Sequence, residues 1–142
     1  MLQCQLDNDP RTGEPFLSRP QPGTFSGDPL TWEDLSKDAR TVGDLIISKT
    51  EDDAKMLGLT FKQVGGFDHV AKQGNWVVAL AVSSYYPDYH WWVRGDDGTW
   101  YHKVGNEPIK YWDYSDNTIY DPAKSDRGRY DAFVGYFEIG PK

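Results

Sequence analysis

Cysteine is nearly absent from this chain, and its scarcity excludes several kinds of site. Cys4 is the single cysteine among 142 residues, so an intramolecular disulfide and a zinc site built from cysteines are both impossible. A chain without disulfides is typical of a reducing compartment. The opening residues MLQCQLDNDPR contain no long apolar run and predict neither a signal peptide nor a membrane span. We therefore expect a cytoplasmic protein or a component of a virus particle.

An excess of basic residues is also missing. Lys and Arg number 15 against 22 Asp and Glu, which gives a formal net charge of −7 and a pI of about 4.8. Proteins that bind nucleic acid present a basic patch, and anionic lipid surfaces attract basic segments. The scattered Lys and Arg residues therefore argue against nucleic acid and against membranes as partners.

Apolar residues are few, but aromatic residues are plentiful. Hydrophobic residues make up only 38% of the chain, while Phe, Trp and Tyr alone make up 15%. One buried aromatic ring removes about 150–250 Å² from water, so a modest number of rings can hold a core. Since 142 residues suit one domain, we expect residues 1–142 to fold as a single domain with an aromatic core.

The N-terminal part of the chain contains loop signals and then helix signals. Residues 1–30, dense in Pro, Gly, Asp and Ser, predict an extended arm. In residues 31–58, Thr31 is a candidate N-cap for a short helix. Thr41 and Thr50 are placed to cap further helical segments. The sequence leaves open whether these segments form two helices or one bent helix.

The pattern changes to that of β-strands in residues 59–142. WVVALAVSS, which begins at Trp76, is almost continuously apolar and predicts a central strand. Residues 105–128 are polar, rich in turn residues, and predict a long loop. Because helices precede strands, we expect an α+β fold in which the helices pack on an antiparallel sheet formed by the second half of the chain.

The stretch DYHWWVRGDDGTWYHK, residues 88–103, predicts a hairpin that carries two of the three histidines. A two-residue loop, Asp96–Asp97, would put His90 and His102 on opposite faces of the hairpin. A three-residue loop over residues 95–97 would set the two histidines directly opposite each other, with Cβ atoms about 4.5–5.5 Å apart. The sequence alone leaves both registers open.

The segment from His90 to His102 resembles the strand–turn–strand of papain-like cysteine hydrolases of the NlpC cell-wall type. In that family a base histidine opens a strand, a Gly/Asp turn follows, and a second polar residue lies on the return strand. The resemblance implies that Cys4 is the nucleophile, His90 the base, and His102 the residue that orients His90. It also implies hydrolysis of amide bonds in a peptide or cell-wall peptide, without a metal or another cofactor.

A catalytically inactive relative of these hydrolases is an open alternative. The family places a helix at its cysteine, and that helix favours the thiolate. In this chain Pro10 and Gly13 follow Cys4 closely, and both residues disfavour a helix.

Aromatic residues around the hairpin support a different class of function. Alternate residues of a hairpin face opposite ways, so some rings are exposed unless the loops at residues 1–30 and 105–128 cover them. An exposed aromatic face and the N-terminal arm fit a non-enzymatic viral or bacterial structural protein that binds a protein partner in an assembly. Coplanar exposed rings fit a carbohydrate-binding module instead. The candidate binding residues are Tyr89, Trp92, Trp100, Tyr101 and Trp112.

Overall fold

The computed structural model describes residues 21–103 and 107–141, where two helices lead into a five-stranded antiparallel sheet. The α-helices are α1 (Trp32–Leu35) and α2 (Ala39–Met56), and a short 3-10 helix follows later over Pro122–Lys124. The strands are β1 (Leu59–Val64), β2 (Trp76–Val82), β3 (Tyr89–Arg94), β4 (Trp100–His102) and β5 (Ala132–Pro141).

Strand order in the sheet is β1-β5-β2-β3-β4. The apolar strand β2 therefore lies at the centre, as the sequence predicts, and the chain's last strand, β5, inserts beside it. Helices that precede an antiparallel sheet make an α+β arrangement, so the predicted fold class is confirmed.

The helical region differs from the prediction in one respect. The side chain of Thr31 accepts a hydrogen bond from the Asp34 backbone, and the Asp34 carboxylate accepts one from the Thr31 backbone, so α1 begins with a capping box. The long helix α2 is continuous over 18 residues. Its N-cap is Asp38, which accepts from the Thr41 backbone N–H at 3.0 Å. Thr41 thus lies in the first turn and Thr50 in the interior, and neither begins a helix.

One face of the sheet packs against α2. The helix contributes Val42 and Ile46, one turn apart, to a core that also contains apolar side chains of β2, β3 and β5. Gly43 allows a close approach to the sheet, because a Cβ atom there would lie 3.1 Å from a methyl group of Val134. The buried members of this first core are Phe25, Leu30, Val42, Ile46, Val78, Leu80, Val82, Trp91, Val93, Phe137 and Ile139.

Residues 21–30, the described end of the predicted arm, are fastened to α2 by two charged side chains. The buried carboxylate of Asp53 accepts from the backbone N–H groups of Gly23 at 2.7 Å and Ser26 at 3.0 Å. One turn earlier, the Lys49 ammonium donates to the backbone carbonyl and the carboxylate of Asp28 at 2.8 and 2.9 Å. This part of the arm is therefore an ordered layer over the first core.

The other face of the sheet is covered by residues 107–131, which we call the cover segment. Its Ile119 and Tyr130 are buried against Trp92 and Trp100 of the sheet. The cover segment is joined to the sheet edge through Lys110, which forms an antiparallel bridge with His102. The buried members of this second core are Val77, Ala79, Ala81, Trp92, Trp100, Ile119, Tyr130 and Tyr136.

A bulge in β5 assigns its residues to the two cores. Leu80 of β2 pairs with Gly135, but the next residue, Ala81, pairs with Phe133. Val134 is the extra residue, so strict alternation is interrupted there. Phe133 consequently packs in the second core, while Val134 packs against the first.

Candidate functional site

The hairpin adopts neither of the two registers that the sequence left open. Gly95 pairs with Thr99, whose carbonyl accepts from the Gly95 N–H at 2.7 Å, and Trp92 pairs with His102. The loop is therefore Asp96–Asp97–Gly98, which has three residues but begins one position later than we expected. Gly98 has a φ of +84°, the left-handed conformation that closes this kind of loop and that glycine adopts readily.

This register places both imidazoles on the face of the sheet that the cover segment protects. His90 lies two residues before Trp92, the direct partner of His102, so the two histidines are diagonal neighbours. His90 Nε2 lies 2.7 Å from His102 Nδ1. Both residues are buried, with exposed fractions of 7% and 3%.

The hydrogen bonds of the pair fix where the protons lie. His102 Nε2 is 2.9 Å from the carbonyl oxygen of Trp112, which can only accept, so Nε2 carries a proton. Burial lowers the pKa of His102 and keeps its ring neutral at physiological pH. The Nδ1 atom of His102 is then an acceptor, and His90 donates to it from Nε2.

Aromatic rings enclose this pair. The Tyr130 ring stacks on His90 with centroids 4.7 Å apart, and the Trp92 ring meets His90 edge-on at the same distance. The ring centroid of Tyr114 lies 5.7 Å from that of His102. These contacts hold the imidazoles in an apolar environment beneath the cover segment.

Cys4, the predicted nucleophile, lies outside the described residues, so its role stays a prediction. The five predicted binding residues are at very different depths. Trp92 and Trp100 are in the second core, with 1% and 0% exposed, and therefore cannot serve as an open stacking surface. Tyr89 and Tyr101 are half-buried against the first core. Trp112 is 45% exposed.

The cover segment carries five large apolar and aromatic residues that are exposed to solvent. We call these five residues, listed below, the aromatic outer surface. Exposed fractions there range from 41% to 67%, and the Tyr111 ring also contacts Tyr101 with centroids 5.9 Å apart. Its members are Ile109, Tyr111, Trp112, Tyr114 and Tyr120.

A buried carboxylate gives this surface a fixed shape. Asp113 accepts from the backbone N–H groups of Ser115 at 2.8 Å, Asn117 at 3.0 Å and Asp126 at 3.2 Å. Burial alone raises the pKa of Asp113, but these backbone hydrogen bonds outweigh it and hold the pKa below its usual value. The cover segment is therefore folded around an ionised carboxylate.

Sequence reasoning missed another buried carboxylate, Glu138, which faces a cleft of about 410 Å³. Its oxygens accept from Asn75 Nδ2 at 2.6 Å and from the Lys72 backbone N–H at 3.3 Å, and contact His69 Nε2 at 2.7 Å. This carboxylate ties the β1–β2 loop to β5. The signal in the sequence is a single charged residue in an otherwise apolar strand, YFEIG.

Residues 21–103 and 107–141 contain no group of three or more His, Cys, Asp or Glu side chains placed to hold a metal ion. In the same ranges, no helix combines the length and the apolar character needed to cross a bilayer.

Comparison with known proteins gives one partial match. No protein-family model and no solved structure matches the chain. The chain is 40% identical over 55 residues to "Insoluble matrix shell protein 1" of Ruditapes philippinarum. The aligned residues are 39% of this chain and span 37% of the length of that protein. The similarity is therefore to a part of a protein named as a matrix component, and it does not establish a family.

Proposed function

We propose that the protein is a non-enzymatic structural component of an assembly and that it binds a protein partner through the aromatic outer surface. The observation that carries the proposal is the exposure of these five apolar side chains on a segment held in shape by Asp113. Aromatic side chains in preformed surfaces dominate the energetics of protein interfaces. The partial similarity to a shell matrix protein supports the same class of function.

The contact surface differs from the one that the sequence suggests. Sequence reasoning put the partner on the aromatic face of the sheet and on the N-terminal arm. That face is buried, because Ile119 and Tyr130 of the cover segment lie over Trp92 and Trp100. The proposed interface is accordingly one layer further out, on Tyr111, Trp112 and their neighbours.

A second copy of the chain is the first partner to test, because one apolar surface on two copies can pack on itself across a two-fold axis. The net charge of −7 on each copy opposes this association, so added salt should strengthen it by screening. We expect Trp112→Ser to weaken association about 30-fold, which corresponds to about 2 kcal/mol for an aromatic residue central to an interface. Sedimentation velocity over a range of concentrations, at low and high salt, measures this.

Trp32→Ser is the matched control, since Trp32 is 73% exposed on α1, outside the aromatic outer surface. An equal loss of association in Trp112→Ser and Trp32→Ser would reject this surface as the interface. A wild-type chain that stays monomeric at both salt concentrations would reject self-association and leave a different protein as the partner to be sought.

A cysteine hydrolase is the second candidate function, favoured by the 2.7 Å contact between His90 and His102. In this proposal His102 orients His90, and His90 removes the proton of the Cys4 thiol. We expect Cys4 then to react with iodoacetamide well below its ordinary thiol pKa of about 8.5, and to lose that reactivity in His90→Ala. Alkylation rates measured as a function of pH, in the wild type and in His90→Ala, test this. A thiol that titrates near its ordinary pKa in both would rule the hydrolase out.

A further inference from the structure

The sheet has two edge strands, β4 and β1, and they differ in how their outer sides are paired. At β4, the backbone of His102 exchanges two hydrogen bonds with the backbone of Lys110, at 2.9 and 2.7 Å, so the cover segment closes this edge. At β1 (Leu59–Val64), all strand pairing is with β5, and no other backbone group in the part of the chain that the structure describes bonds to the strand. We call the side of β1 that faces away from β5 the β1 edge.

The β1 edge carries the backbone groups that another strand needs for pairing. An antiparallel strand bonds to its neighbour through alternate residues, so about half of the N–H and C=O groups of β1 point away from β5. Such a row of groups is a template for a further strand. The strand has six residues, the usual length of a strand in a sheet, so a partner can pair along its whole length. When a peptide adds a strand in this way, backbone bonds supply the affinity and alternate side chains supply the specificity.

On the face of the sheet that α2 covers, the side chains beside this edge are apolar. Leu59 and Phe61 are half-buried and pack against the first core. The Phe61 ring is fixed by stacking on Phe137, with centroids 4.9 Å apart. A strand added at the β1 edge places every second side chain next to Leu59 and Phe61, so a partner needs apolar residues at those positions.

On the opposite face, β1 presents the exposed cation Lys62. Lys62 pairs across the strands with Glu138, but the Glu138 carboxylate is already held by Asn75, His69 and the Lys72 backbone. Within the described part of the chain, the Lys62 ammonium forms no salt bridge. It can therefore pair with a carboxylate at the opposite position of an added strand.

Charge argues against a second copy of the chain as the added strand. A lysine in an edge strand discourages pairing with a like strand, because the two copies bring equal charges together. The net charge of −7 on each copy adds a general repulsion. A different strand that carries carboxylates beside Lys62 meets an attractive charge at this edge.

We propose that the β1 edge binds an extended segment of another protein in which apolar and acidic residues alternate, and that this segment adds a sixth strand to the sheet. Its apolar side chains lie beside Leu59 and Phe61, and its carboxylates lie beside Lys62. The β1 edge is separate from the aromatic outer surface, so this inference does not rest on the proposed function.

An NMR titration of the full-length chain tests this, and the probe is a short acetylated peptide in which valine and glutamate alternate. We expect saturable amide shifts that are largest in residues 59–64, and slower hydrogen exchange of the β1 amides that point away from β5. The same peptide with methylated backbone nitrogens cannot donate to the edge, so it should bind much more weakly. Trp112→Ser, in the aromatic outer surface, should bind the peptide as well as the wild type does.

A charge exchange tests the role of Lys62. At physiological ionic strength, the wild type should bind the glutamate peptide about fivefold more tightly than a peptide with lysine in place of each glutamate. Lys62→Glu should reverse this preference. Lys103→Glu is the matched control, since it makes the same change of charge at an exposed residue directly after β4, the other edge strand, and should keep the wild-type preference.

The proposal is overturned if the glutamate peptide causes no saturable shifts in β1 up to about 1 mM, or if the methylated peptide binds equally well. It is also overturned if Lys62→Glu and Lys103→Glu change the preference to the same extent. Slow exchange of every β1 amide in the dilute chain without peptide would overturn it in favour of an edge already paired within the chain. Protection that appears without peptide as the protein concentration rises would overturn it in favour of a second copy.

Discussion

Trp100→Ala is expected to lower the free energy of unfolding by about 3–5 kcal/mol, the usual cost of removing a large buried aromatic side chain. Trp100 is fully buried in the second core, and its ring packs against Tyr136 with centroids 5.9 Å apart. Its backbone N–H also donates to the Ile119 carbonyl at 2.9 Å, so this residue joins the sheet to the cover segment. A cavity at Trp100 therefore weakens the packing between the sheet and the cover segment. Urea unfolding, followed by circular dichroism, measures the loss in the free energy of unfolding.

Trp100→Phe is the matched variant, and we expect it to cost less than half as much. The indole N–H of Trp100 is buried and has no hydrogen-bond partner among the described residues. Phenylalanine fills most of the volume and removes that unpaired donor, whose burial costs about 1–3 kcal/mol. If Trp100→Ala stays within about 1 kcal/mol of the wild type, the second core does not hold the cover segment as described here.

Acidification from pH 4.5 to pH 2 is expected to remove about 3 kcal/mol of stability through Glu138 alone. Hydrogen bonds from Asn75, His69 and the Lys72 backbone lower the pKa of Glu138 from 4.5 to about 2, with the Asn75 bond the largest contribution. The unfolded chain therefore takes up this proton more readily than the folded chain. The stabilisation is complete above pH 4.5 and disappears as the pH falls towards 2.

Glu138→Gln isolates this contribution from the other carboxylates that titrate in the same range. The variant should be less stable than the wild type by about 3 kcal/mol near neutral pH, and the difference should vanish near pH 2. Urea unfolding of both chains at a series of pH values gives the two curves. Parallel curves, with a constant difference at all pH values, would contradict a lowered pKa at Glu138.

Local signals in the sequence were enough to predict several elements of the fold. The apolar run from Trp76 identifies the central strand because a strand buried on both faces has no polar side to show. Thr31 is the N-cap of α1, as its residue type and position predict, and a cap depends only on residues within one turn. Each of these predictions depends on interactions within a few residues.

The hairpin and the helix show where local signals fail. Several loop positions satisfy the alternation of WWVR and TWYH, and the loop that forms is the one that puts a glycine, Gly98, at the position with positive φ. Thr41 and Asp38 are both acceptable N-caps, and Asp38 begins α2. When two loop positions or two N-cap residues are locally almost equally favourable, packing with the rest of the protein decides between them. Such packing cannot be read from the local sequence pattern.

The candidate sites depend on contacts between distant parts of the chain. Burial of Trp92 requires the cover segment to fold over the sheet, and Glu138 meets partners more than 60 positions earlier in the sequence. The proximity of His90 and His102 was one of the two sequence-based possibilities, yet it arises from a third register, in which the histidines are diagonal neighbours.

The residues that hold the cover segment in shape differ from the residues that are exposed on it. This difference bears on how the protein can evolve. Asp113 holds the segment by bonds to backbone groups, and Ile119 and Tyr130 anchor it from below. Exposed positions such as Tyr111 and Tyr120 contribute little to that framework, and changes at such positions usually alter stability by less than about 0.5 kcal/mol. Substitutions at these surface positions would therefore alter the proposed interface while keeping the same scaffold.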